Sequence, residues 1–136
     1  MELLDTKRAV ERYFKTITPA LPTAFPAVNF TPPNCQMYQS VQFKILKPTD
    51  PTFDNYFHRE NLEFQVFVCD VLGAGEGAAF QRAELIKSYF PKGKYFLEGT
   101  TRIHVLSTPI IQGSVITQDR VVVPVIIPLT VEVYSN

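Results

Sequence analysis

An alternating run of apolar residues near the C-terminal end constrains the fold more than any other feature. The segment RVVVPVIIPLTVEVYSN, residues 120–136, has an apolar side chain at every second position. A period of two is typical of a β-strand with one buried face, so the segment predicts a long strand. The residues on the predicted buried face are Val121, Val123, Val125, Ile127, Leu129, Val131 and Val133.

Two prolines lie inside this strand and limit how it can pair. Pro124 and Pro128 have no backbone N–H group to donate. Because both numbers are even, both missing donors lie along the same lateral edge of the strand. The strand can therefore pair fully with one neighbour and only partly with a second. It is either an edge strand or a strand whose second partner ends or bulges at the prolines.

The prolines allow two interpretations. In the first, they protect an apolar edge from indiscriminate pairing with other chains. In the second, side chains such as Ile126 and Leu129 contact another subunit, and the prolines keep that association controlled. The residues Pro124, Ile126 and Pro128 are therefore candidates for a subunit or partner interface.

Periodicity predicts two helices and two further strands upstream of this segment. Helical spacing predicts a first helix over residues 3–17, ended by prolines, and a second helix with a stripe formed by Ala79, Ala83, Ile86 and Phe90. Alternation predicts strands within residues 36–46 and 62–72. The proline-rich residues 20–34 are predicted to be extended, with at most a short strand over residues 27–30.

These elements predict an α+β fold in a single domain spanning residues 1–136. After the second helix, the segments TRIHVL and TPIIQG precede the final strand. We expect a mostly antiparallel or mixed sheet of four to five strands, with the two helices packed on one face.

The charge balance excludes several classes of partner. The chain has 13 Lys and Arg and 13 Asp and Glu among 136 residues, which gives no electrostatic footprint for nucleic acid or an anionic membrane. We expect neither sequence recognition of nucleic acid nor membrane binding. An intracellular protein with Cys35 and Cys69 reduced is expected, because no signal-peptide pattern or cysteine motif is present.

The segment GAGEGA, residues 73–78, matches a dinucleotide-binding fingerprint between a strand and a helix. This match defines one alternative function, a small-ligand or nucleotide-binding domain that uses the Gly73–Ala78 turn. Glu76 opposes that alternative, because its carboxylate would lie where a pyrophosphate binds. A flexible turn at the start of a helix is the favoured interpretation.

No other motif predicts a catalytic, metal or cofactor site. His58 and His104 are expected on the surface without further metal ligands at suitable spacing. The acids Asp50, Asp54, Glu60 and Glu63 are expected to be solvated. We therefore predict that the protein is not an enzyme and binds no cofactor.

A segment between two predicted strands is a candidate recognition loop. Residues 47–60 are too many for a tight hairpin turn, and they include Phe53, Tyr56 and Phe57. Long loops that carry aromatic side chains often serve recognition. Phe53, Tyr56 and Phe57 are therefore candidates for a subunit or partner interface, together with Pro124, Ile126 and Pro128.

The order of elements resembles the phage tail terminator proteins of the lambda-type group. The resemblance covers nearly the whole chain: an amphipathic first helix, the proline-rich FPAVNFTPPN, and LEFQVFVCDVLGAGEGAAFQRAELIKSYF as strand, glycine turn and helix. Its most characteristic part is the segment TRIHVLSTPIIQGSVITQDRVVVPVIIPLTVEVY, which contains a strand with the pattern R-x-x-V-P-V.

The resemblance implies a structural function in the virion. Such proteins form a hexameric ring that caps the tail tube, ends its polymerisation and presents the surface joined to the head. The implied partners are further copies of this chain, the tail tube protein and a head-completion (connector) protein. The implied location is the head-proximal end of the tail, after synthesis in the host cytoplasm. Another small head-completion or minor tail protein is the nearest alternative.

Overall fold

A computed structural model describes residues 2–54, 56–73 and 75–134, with only the backbone of Glu2 included. Two helices and eight strands occur within these residues. In chain order they are α1 (Glu2–Phe14), β1 (Thr23–Ala24), β2 (Tyr38–Ile45), β3 (Phe57–Val71), α2 (Gly77–Tyr89), β4 (Tyr95–Glu98), β5 (Thr101–Val105), β6 (Ile110–Ile111), β7 (Val115–Thr117) and β8 (Arg120–Tyr134).

The eight strands form one mixed sheet in the order β1-β2-β3-β8-β5-β4, with β6 and β7 also paired to β8. β1 and β2 are parallel, and the other pairs are antiparallel. The predicted α+β class with two helices is confirmed. The predicted number of four to five strands was wrong, because strands of two to four residues are too short to show alternation.

The core lies between one face of the sheet and the two helices. The even-numbered residues of β3 from Leu62 to Val68 and the odd-numbered residues of β8 are buried there, as the alternation predicted. From the helices, Val10 and Phe14 of α1 and the predicted stripe of α2 pack against them. Edge-to-face and tilted ring contacts join Phe14, Phe64 and Phe90, an arrangement that stabilises aromatic pairs beyond area burial.

The C-terminal strand β8 is central, so the prediction of an edge strand was wrong. β8 pairs with β3 over its whole length, from Arg120 opposite Val71 to Tyr134 opposite Phe57. On the side of the missing proline donors, it pairs with three short strands in succession, β7, β6 and β5. The alternative prediction, a second partner interrupted at the prolines, is therefore confirmed.

The first helix and the short strand after it differ from their predicted positions by a few residues. The prediction of a first helix over residues 3–17 was too long, because α1 ends at Phe14. The chain continues as a turn in which Thr16 Oγ1 donates to Tyr13 O at 2.6 Å, a side-chain bond that competes with helical pairing. The short strand predicted at residues 27–30 lies instead at Thr23–Ala24.

Candidate assembly surface

The sheet face opposite the helices, termed the outer face, carries three of the residues predicted at an interface. Pro124, Ile126 and Pro128 lie there because they alternate with the buried residues of β8. Pro124 is buried, and the other two are half-buried. The neighbouring short strands add Ile110, opposite Ile126, and Val115, opposite Val122. Their exposed fractions of 53% and 55% make this part of the outer face an apolar stripe open to solvent.

The other end of the outer face is charged. Glu132 of β8 lies between Arg102 of β5 and Arg59 of β3 in the strand register. Tyr134 Oη donates to Glu132 Oε2 at 3.2 Å, and His104 Nε2 lies 3.7 Å from Glu132 Oε1, too far for a hydrogen bond. An apolar stripe beside charged residues is a common composition for a protein interface.

His104 is a half-buried residue of this charged end. Its Nε2 atom is buried and has no hydrogen-bond partner among the described residues. His104 lies on the same face as Arg102, as predicted, and its side chain is 33% exposed.

Strand β4 extends the outer face to the edge of the sheet. Tyr95 and Leu97 lie opposite His104 and Arg102, and their exposed fractions are 59% and 57%. The outer edge of β4 pairs with no strand among the described residues, and a free strand edge can bind another chain. Neither residue was predicted from the sequence, because a strand of four residues is too short to show a clear alternation.

The three predicted loop aromatics do not form one cluster. Phe53 is fully exposed and Tyr56 is largely exposed. Between them, Asp54 Oδ1 accepts bonds from Thr52 Oγ1 at 3.1 Å and from Tyr56 N at 3.0 Å, which shapes the loop as an Asx turn. The predicted loop over residues 47–60 was too long, because β3 begins at Phe57.

Phe57 belongs to the charged end of the outer face rather than to the loop. It lies opposite Tyr134, with ring centroids 4.8 Å apart. The guanidinium of Arg59 lies 5.0 Å from the Phe57 ring centroid, a distance at which a cation is attracted to the ring. The half-buried ring of Phe57 therefore stabilises the fold as well as contributing to the face.

The glycine turn does not have the geometry of a dinucleotide site. Its strand, β3, has antiparallel neighbours on both sides, whereas the fingerprint belongs to a parallel βαβ unit. A cavity of 370 Å³ lies beside Gly73 and Gly75, but the Glu76 carboxylate lines it and accepts a hydrogen bond from Ser114 Oγ. Ala74, within the turn, lies outside the described residues.

The remaining candidate residues have local partners. His58 lies within β3 and is half-buried, so its predicted position in a surface loop was wrong. Its Nε2 atom lies 3.0 Å from Glu60 Oε1. Gln65 Nε2 donates to Glu63 Oε1 at 3.0 Å. Among the described residues, no group of three or more His, Cys, Asp or Glu could hold a metal ion. Neither of the two described helices is long and apolar enough to cross a membrane.

Comparison with known proteins identifies the family of this chain. One solved structure has a TM-score of 0.78 to this chain at 25% sequence identity, and the similarity covers 100% of this chain and 99% of the other. No curated protein matches the sequence. The family profile described as phage tail terminator protein matches residues 5–129 of 136. Because the matched residues reach from the first turns of α1 into β8 and confirm the resemblance found in the sequence, the chain belongs to the phage tail terminator protein family.

Proposed function

We propose that this protein forms a closed ring, a hexamer, on the head-proximal end of the phage tail tube. There it ends tube polymerisation and presents the surface that joins the head. Membership of the family makes the chain a structural component of a phage tail. The ring, its position and its partners, namely the tail tube protein and a head-completion protein, are the proposed part. We also propose that the protein belongs to the lambda-type group, that residues 1–136 form one domain, and that it is made in the host cytoplasm.

The outer face is the observation that carries this proposal. Its apolar stripe, with Ile110 and Val115 more than half exposed, lies beside a charged end. On a monomer, such a patch would leave apolar surface in water, and a patch of this kind often marks an interaction site. In a member of a tail family, the partners that fit are other copies of the chain and the tail tube protein.

A ring also requires two different contact surfaces, because head-to-tail contacts must close on themselves. The sheet offers two separate free edges among the described residues. One is the outer edge of β4, and the other is β2 beyond Ser40, since β1 pairs only with Gln39 and Ser40. These edges lie at opposite ends of the strand order, so each could meet its complement on the next subunit.

The backbone of β4 indicates which atoms the edge presents. Val105 N donates to Lys94 O at 2.8 Å, and Gly93 N donates to Val105 O at 3.0 Å. The backbone N–H and C=O groups of the odd-numbered β5 residues therefore point towards β4. Those of Phe96, which lies opposite Ile103, point back towards β5. The N–H group of Leu97 points to the free edge.

Polymerisation of purified tail tube protein in the presence of this chain tests the proposal. We expect shorter tubes that carry the chain at one end only, seen by gold labelling in negative-stain images. Ile110→Lys places a charge in the exposed apolar stripe and should abolish capping while leaving the unfolding midpoint near that of the wild type. Val28→Lys, at an exposed apolar residue outside the sheet, is the matched control and should cap normally.

The same experiment separates the nearest alternative. A head-completion protein would leave tube lengths unchanged and would bind purified heads. Binding along the whole tube, or unchanged tube lengths at saturating protein, would contradict capping.

A further inference from the structure

Arg82 of α2 is an ionised side chain inside the fold. Its exposed fraction is 6%. Its Nε atom donates to Gln39 Oε1 at 3.3 Å, and its Nη1 atom donates to Pro19 O at 2.5 Å. Both acceptors are uncharged, so the guanidinium is anchored in place without being neutralised.

The charge of Arg82 has no counter-ion among the described residues. None of the described carboxylates pairs with it, and none of them accepts a bond from its Nη2 atom. Burial lowers the pKa of Arg82, but an arginine stays protonated in proteins. A buried charge is costly unless an opposite charge accompanies it. An anion from outside the described fold would supply the opposite charge.

A cavity of 260 Å³ lies against Arg82 between α1, β2 and α2. Lys15, Thr23 and Gln39 line it together with Arg82. Gln39 Nε2 donates to Thr23 Oγ1 at 2.9 Å, and Thr23 Oγ1 donates to Leu21 O at 3.0 Å. This chain of hydrogen bonds fixes the polar wall. The apolar wall consists of Phe14, Ile17, Ala20, Leu21 and Phe25.

We propose that this cavity binds one carboxylate group carried on a short apolar stem. The two oxygens of a carboxylate match the planar donors of a guanidinium. Lys15 lines the same cavity, with its ammonium 4.9 Å from the ring centroid of Phe25 in the cavity wall, and supplies a second positive charge. The volume is below the range of about 300–1,000 Å³ typical of drug-sized ligands, so it suits a side chain or a small acid. The apolar wall receives the stem. This site does not depend on the proposed ring.

Titration with sodium butyrate, followed by NMR of the full chain, tests the site. We expect a saturable shift of the Arg82 Nε–H signal and of the Gln39 side-chain amide, and a higher melting temperature. Sodium chloride at equal ionic strength should give neither. Inorganic phosphate should bind more weakly than butyrate. Absence of saturation with butyrate, or equal shifts with chloride or phosphate, would overturn the proposal.

A variant at the exposed lysine keeps the test independent of folding. Lys15→Met should weaken butyrate binding by about fivefold, the factor expected for one partly exposed charge pair. Lys92→Met, at an exposed lysine that does not line the cavity, should bind butyrate like the wild type. Butyrate should not raise the melting temperature of the Arg82→Gln variant, even if this variant is less stable than the wild type without butyrate. Equal affinity in Lys15→Met and Lys92→Met would contradict the assignment.

The same samples distinguish two possible sources of the carboxylate, an acidic side chain of a second copy and a free small acid. If an acidic side chain of a second copy fills the cavity, saturating butyrate should dissociate oligomers measured by native mass spectrometry, whereas chloride should not. If a free small acid is the ligand, butyrate should bind and leave the oligomers unchanged. Both results support a carboxylate site. Loss of oligomers with chloride as well would identify a general salt effect and would count against a carboxylate supplied by another copy.

Discussion

Replacing the two prolines of β8 by valine tests how this strand is paired. Pro124 O accepts a bond from Gln112 N at 2.9 Å, and Pro128 O accepts one from Leu106 N at 2.9 Å. In an antiparallel ladder, residues placed in this way exchange two bonds. Each proline supplies only the acceptor, so β6 and β5 end beside the prolines. Pro124→Val with Pro128→Val would add an N–H donor opposite each neighbouring carbonyl.

The expected change in stability is small because two effects oppose each other. An added backbone hydrogen bond stabilises a protein by about 0.5–1.5 kcal/mol. Loss of a proline costs about 0.4–1 kcal/mol, because the unfolded chain gains conformational freedom. The free energy of unfolding should therefore change by less than about 1 kcal/mol per site. Since β8 is paired on both sides, the double variant should aggregate no more than the wild type.

Urea unfolding and amide hydrogen exchange measure these effects together. The new amides at positions 124 and 128 should exchange slowly, with protection similar to that of neighbouring amides in β8. A loss of more than about 2 kcal/mol per site would mean that the new donors are buried without acceptors. Increased aggregation with a native fold would restore the guarded-edge interpretation that the central position of β8 contradicts.

Four further substitutions test the core, the contact between α1 and β4, and the aromatic residues. Phe64→Ala should lower the free energy of unfolding by about 3–5 kcal/mol in urea, because it empties a fully buried site; a loss below about 1 kcal/mol would contradict the packing. The bond from Arg12 lowers the pKa of Glu98. The pair therefore stabilises the folded state fully at a pH above the ordinary Glu pKa of about 4.3, and this stabilisation disappears as the pH falls through the lowered pKa. Glu98→Gln should therefore flatten the acid side of the stability–pH curve, and an unchanged curve would exclude the contribution. Phe53→Ala should impair assembly without changing the melting temperature, whereas Phe57→Ala should lower both; equal melting temperatures would show that the Phe57 ring does not stabilise the fold.

The sequence predicted the long strands because each of them buries one face over many residues. The alternation in β3 and β8 is a property of the residues themselves, and the even numbers of Pro124 and Pro128 correctly predicted one complete and one interrupted ladder. The sequence could not place β6 and β7, which have two and three residues. These strands form because β8 presents donors and acceptors to them, and this is a tertiary effect that no local pattern contains.

The candidate site was predicted only in part. Pro124, Ile126 and Pro128 share the outer face, but Phe57 is a strand residue and Phe53 lies in a separate loop. Arg82 was overlooked, although helical spacing from Ala79 and Ile86 places it on the buried stripe. A charged residue on an apolar stripe was the available signal. Its partners Gln39 and Pro19 could not be identified, because they lie far away in the sequence.

Native mass spectrometry over a concentration series tests the proposed ring most directly, with negative-stain imaging of the same samples. The proposal predicts a closed ring of about six chains, each of 15.4 kDa, that dissociates in the Ile110→Lys variant and persists in Val28→Lys. If the wild type alone is monomeric, the ring should form on purified tail tubes, at one end only. A stable two-fold dimer at every concentration, with or without tubes, would contradict the proposed ring.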